Sequence, residues 1–72
     1  MENVKEKRIL DFMQQNKDIW VTSTEIFNNI HCTYKDYKEA IDNLVNLNII
    51  LMKKGKKYVG VAKLYSLNLS VL

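Results

Sequence analysis

The sequence predicts a single α+β domain in which three helices precede a C-terminal β-hairpin. Three observations carry that prediction. Seventy-two residues suffice for one hydrophobic core and not for two. Thr22 and Thr33 each stand three residues ahead of an acid and open an apolar stripe of helical period. From Ile49 onward that period gives way to β-prone runs punctuated by Gly55 and Gly60, with no proline anywhere in the chain.

The elements follow in order. From Val4 to about Gln15, the residues Val4, Ile9, Leu10, Phe12 and Met13 trace a loose helical stripe that stops at Asn16-Lys17-Asp18. Ile19-Trp20-Val21 is a β-prone run too short for a helix. Thr22 with Glu25 forms a capping box, so a second helix starts there and buries Ile26, Phe27 and Ile30. Asn28-Asn29-Ile30-His31-Cys32 makes the turn, where asparagine tolerates the left-handed conformation.

Thr33 caps a third helix, with Asp36 as a weaker box partner. Tyr37, Ala40, Ile41, Leu44 and Val45 give this helix the cleanest apolar face of the chain, and Asn48 suits a left-handed stop. Ile49 to Met52 reads as a strand and Tyr58 to about Leu69 as its return. Gly55 is the expected turn residue between them, the alternative being a longer loop with Gly60 at a bulge. Trp20, Phe12, Phe27 and Tyr37 are expected in the core, and Leu67, Leu69, Val71 and Leu72 alternate like a half-buried strand.

Composition narrows the class. With 47% apolar and 26% charged residues the chain is globular rather than disordered. No apolar run approaches the ~20 residues that span a bilayer, and the charged start, Met1 to Arg8, does not read as a signal peptide. The single cysteine, Cys32, cannot form an intrachain disulfide, which fits a reducing, cytoplasmic setting. His31 and Cys32 are too few and too close in sequence to hold zinc or to form a nucleophile–base pair. No glycine-rich phosphate loop, acidic cluster or Ser/His/Asp set is present, so the expectation is a non-enzyme without cofactor.

The net charge of +3 is uneven. Residues 1–42 carry six basic and eight acidic side chains, a net of −2, whereas residues 43–72 carry five lysines and no acid, a net of +5. Such asymmetry points to an anionic partner for the hairpin, against the plainer reading of solvated gatekeeper lysines.

The order of elements resembles the winged helix-turn-helix family over nearly the whole chain. Trp20-Val21-Thr22-Ser23-Thr24-Glu25-Ile26 is similar to the strand entering the first helix of that motif, and Thr33 to Leu47 occupies the place of its recognition helix. Leu44 to Ile50 is similar to the family's helix exit with Asn48 in place of glycine. Lys53-Lys54-Gly55-Lys56-Lys57 looks like a wing tip, with Leu64-Tyr65-Ser66-Leu67 returning from it. The resemblance implies binding to double-stranded DNA, with the third helix in the major groove and the wing on neighbouring backbone.

Residue chemistry then names the candidates. Lys53, Lys54, Lys56 and Lys57 are expected to grip phosphates, which positions a protein more than it specifies sequence. Thr33, Tyr34, Lys35 and Lys38 lie at the start and on the outward face of the third helix. Asp36, Glu39 and Asp42 lie on or beside that face and oppose phosphate approach. Ser23 is a further phosphate donor, unless it serves only the helix start. A homodimer reading paired half-sites is the expected assembly, and the expected role is transcriptional regulation. The rival is a winged helix that binds proteins within a replication, packaging or recombination assembly.

Overall fold

The computed structural model describes residues 4–57 and 60–70. They form α1 (Val4–Gln15), β1 (Val21–Thr22), α2 (Ser23–Asn28), α3 (Tyr34–Asn46), β2 (Ile50–Lys56) and β3 (Val61–Leu67). The architecture is α+β, three helices and one antiparallel sheet in the order β1-β3-β2.

Local chemistry sets the starts of α2 and α3 and the end of α3. Thr22 caps α2 with its hydroxyl, which accepts from the Glu25 N–H at 3.2 Å, while Glu25 Oε1 accepts from the Thr22 N–H at 3.2 Å. At α3, Thr33 accepts from the Asp36 N–H, but the Asp36 carboxylate turns to Lys5 Nζ at 2.8 Å instead of closing a box. α3 ends in a Schellman turn. Asn48 takes φ 60°, its N–H donates to the Val45 carbonyl, and the Ile49 N–H reaches back to Leu44.

One core joins the layers. Ile9 and Met13 of α1, Ile26 of α2 and Tyr37, Ala40, Ile41 and Leu44 of α3 pack with Val21, Ile50, Tyr65 and Leu67 of the sheet. Among the described residues no helix is long and apolar enough to cross a membrane.

Four expectations need correction. The left-handed residue in the α2–α3 turn is His31, at φ 53°, rather than an asparagine, and Asn29 sits at φ −103°. The first strand is Val21–Thr22, starting two residues later and ending one later than Ile19–Val21, with Thr22 both ending the strand and capping α2. Gly55 is no turn: β2 runs through it, with Gly55 opposite Ala62, and the connection falls at residues 57–60. Gly55 has a packing role there instead, since a Cβ on it would come within 2.9 Å of Leu64 Cδ1 and the leucine end would have to shift. Gly60, the described residue just before β3, takes φ 85°. Finally, Trp20 stands outside the shared core, half-buried on the other face of the sheet. The expected strand start at Tyr58 and the terminal Val71 and Leu72 lie outside the described residues.

Candidate nucleic-acid interface

The pleat of the hairpin divides its lysines between two faces. Side chains alternate along a strand, so Ile50, Met52, Lys54 and Lys56 share one face with Val61, Lys63, Tyr65 and Leu67. Ile50, Tyr65 and Leu67 on that face enter the helical core. Beyond them the same face carries Lys54 directly opposite Lys63, with Lys56 two residues on. Residues 43–72 contain no acid, so no carboxylate of the hairpin offsets this pair. Like charges in direct cross-strand register repel, and a bound anion relieves that repulsion.

The other face is occupied differently. Lys53 Nζ lies 4.2 Å from the centroid of the Trp20 ring, a cation–π contact. Lys57 Nζ donates to the Trp20 carbonyl at 2.6 Å and pairs with Glu25 Oε1 at 3.1 Å. Both lysines thus end on the segment that leads into α2. Leu64 lies buried beneath them on the same sheet face, close against Gly55. The four lysines read together as a basic tip are split by the structure: Lys54 and Lys56 face one way, Lys53 and Lys57 fasten the hairpin to Trp20 and Glu25. Lys63 completes the open face. Its signal was present in sequence as the fifth lysine, but only the register places it opposite Lys54.

Glu25 records this fastening in its acidity. Burial alone raises its carboxyl, but the Thr22 N–H, the Lys57 ammonium and the Thr22 hydroxyl outweigh burial and hold it below its ordinary value of 4.5. A lowered folded-state value contributes stability above the unfolded value, and that contribution disappears as pH falls through the folded one. The urea midpoint of the protein will therefore fall on acidification below about pH 4.5, and it will fall less in Glu25→Gln. Equal acid limbs for the two proteins would show that the carboxylate does not carry this contribution.

α3 adjoins the open face through Tyr65. The Tyr65 phenol is raised by burial, and Lys38, Asp42 and Tyr34 all act on it electrostatically, so these groups cluster where the hairpin meets α3. Tyr34, the first residue of α3, is 56% exposed, its ring held edge-on to Phe27 at 5.7 Å and beside Tyr37 at 6.0 Å. Lys35 is exposed one residue on. Lys38 pairs with Asp42 at 3.2 Å on the open surface, a contact weak enough for a phosphate to displace.

The remaining acids of α3 point elsewhere. Asp36 is held by Lys5 of α1, and Glu39 lines a groove of about 460 Å³ between α1 and α3 together with Glu6, Asp42 and Asn43.

Two candidates have internal partners. The Ser23 hydroxyl lies 2.7 Å from the Tyr37 hydroxyl, and burial pushes that phenol up to about 12. Thr33 accepts the Asp36 N–H as the α3 cap. Among the described residues no three His, Cys, Asp or Glu side chains converge as a metal group. No family model, curated protein or solved structure matches this chain.

Proposed function

We propose that the chain is a winged helix-turn-helix protein that binds double-stranded DNA and acts as a small transcriptional regulator. The observation that carries the reading is the hairpin face that sets Lys54 opposite Lys63 with Lys56 two residues on and no hairpin carboxylate, together with the exposed Tyr34, Lys35 and Lys38 in the first turns of α3. The element order α1-β1-α2-α3-β2-β3, with an antiparallel sheet in the order β1-β3-β2, supports the fold assignment.

In this reading α3 enters the major groove by its first two turns. Tyr34 donates its hydroxyl to backbone or base edge, and Lys35 and Lys38 reach phosphates or guanine. The hairpin then acts as the wing, and its three lysines neutralise phosphates on neighbouring backbone. Lys53 and Lys57 hold the wing against the α2 entrance and touch no DNA, and Ser23 serves the core through Tyr37.

Titration of a fluorescent duplex across rising salt tests the proposal. The expected result is binding that weakens linearly in log–log coordinates, with a slope of about −4.5 if about five phosphates are engaged. Absence of binding at low salt, or affinity indifferent to salt, would overturn it.

A further inference from the structure

The hairpin leaves one sheet edge open. In the order β1-β3-β2, β2 pairs with β3 along one side, and among the described residues nothing pairs with the other. The pairing runs residue for residue from Ile50 opposite Leu67 to Lys56 opposite Val61, so no bulge interrupts the edge, and the chain holds no proline. Proteins blunt open edges by shortness, bulges, proline or charge. β2 is seven residues long and relies on charge, all of one sign, at Lys53, Lys54 and Lys56.

That single sign selects the partner. A second β2 laid along the first would set lysine against lysine, so the edge disfavours another copy of this chain. A strand of opposite charge is favoured instead. Lys53, over the Trp20 ring, stands on one face of the sheet and Lys54 and Lys56 on the other, so an added strand meets positive charge on both of its faces, more of it on the Lys54–Lys56 side. Leu51 and Met52, 40% and 44% exposed, offer one apolar contact to each face.

We propose that the open edge of β2 accepts an extended acidic segment of a partner protein as a fourth, antiparallel strand. Main-chain hydrogen bonds supply the pairing, carboxylates stand opposite Lys56, Lys54 and Lys53, and apolar side chains stand opposite Met52 and Leu51. Read from its N-terminus, the partner strand is acid, any residue, acid, acid, apolar, apolar. One consequence rests on the duplex reading: because Lys54 and Lys56 also hold phosphate there, this strand and DNA exclude one another, and the partner acts as an antagonist. The strand pairing itself does not depend on DNA.

The test uses the full chain, nitrogen-15 labelled and free of DNA, titrated with acetyl-Thr-Glu-Thr-Glu-Glu-Val-Val-Thr-amide. Alternate backbone amides of β2 are expected to shift and to exchange more slowly with solvent. N-methylation of the peptide's ladder-facing amides should weaken binding by about tenfold or more. A peptide with lysine for each glutamate should not bind, and the Lys53→Glu, Lys54→Glu, Lys56→Glu variant should exchange the two preferences.

Undiminished binding of the N-methylated peptide, or shifts without amide protection, would reduce the contact to a counter-ion effect and overturn the proposal. Absence of binding would overturn it too, and so would β2 protection that grows with protein concentration alone, which would mark a second copy. The N-methyl comparison uses the wild-type chain, so it decides the matter even if the charge-swapped variant fails to fold. Amide protection by peptide in a chain that binds no duplex would sink the DNA reading and leave this one standing.

Discussion

Replacing Lys54, Lys56 and Lys63 together by glutamine will lower the salt slope of duplex binding by about 2 to 3 units, since each neutralised phosphate contributes ~0.9. The effect follows from their shared face, with Lys54 and Lys63 directly opposite and no acid in residues 43–72 to compete for them. The fold should survive unharmed and gain a little, because removing a like-charge cross-strand pair relieves repulsion. Lys53→Gln gives the contrasting result. Its ammonium is on Trp20, so the slope should stay unchanged while the hairpin loosens slightly. If Lys53→Gln flattened the slope and the triple variant did not, the assignment of the two faces would be reversed.

The largest loss of stability is expected from Leu44→Ala. Leu44 is buried where α3 meets β2, and its carbonyl also accepts the Ile49 N–H that closes the helix end. Truncating a buried leucine costs about 2–5 kcal/mol, through lost transfer energy and the cavity left behind. A chain of 72 residues has a total stability of about 4–11 kcal/mol at ordinary values per residue. The variant therefore forfeits a large part of its margin, which urea denaturation followed by circular dichroism will show. Leu47→Ala, three residues on but 58% exposed, should stay within about 0.5 kcal/mol of wild type. A loss at Leu47 matching that at Leu44 would contradict the burial pattern of α3.

Much of the helical body was legible in sequence because its signals are local. The Thr22–Glu25 box, the Thr33 cap and the left-handed Asn48 act over three or four residues, and the structure forms each of them. The α+β class follows from the same signals together with the change of period after Ile49. The hairpin was harder for a physical reason. Gly55 between two pairs of lysines reads as the turn and Gly60 only as a bulge beside a longer loop, and nothing local reveals that Gly55 instead lies within a strand beneath Leu64, nine positions away.

The error propagated to the candidate site. A turn at Gly55 gathers four lysines into one tip, whereas a connection at residues 57–60 makes Lys53, Lys54 and Lys56 strand residues that alternate between faces. Lys57 could not be assigned from sequence because its partners, the Trp20 carbonyl and Glu25, lie more than thirty residues away. Lys63 was visible as a charge and gained its place only from its register with Lys54. On α3 the sequence shows acids and bases interleaved. The helical period sets Asp36 away from Tyr34 and Lys38, and what the sequence does not show is its partner there, Lys5 of α1.

Amide and side-chain chemical shifts of the labelled protein, followed while duplex DNA is added at low salt, test the central claim most directly. The proposed interface predicts perturbations at Tyr34, Lys35 and Lys38 and at Lys54, Lys56 and Lys63, with Lys53, Lys57 and the α1 surface unmoved. Perturbations concentrated on α1 or on the Trp20 face, with α3 and the Lys54–Lys63 face silent, would contradict it.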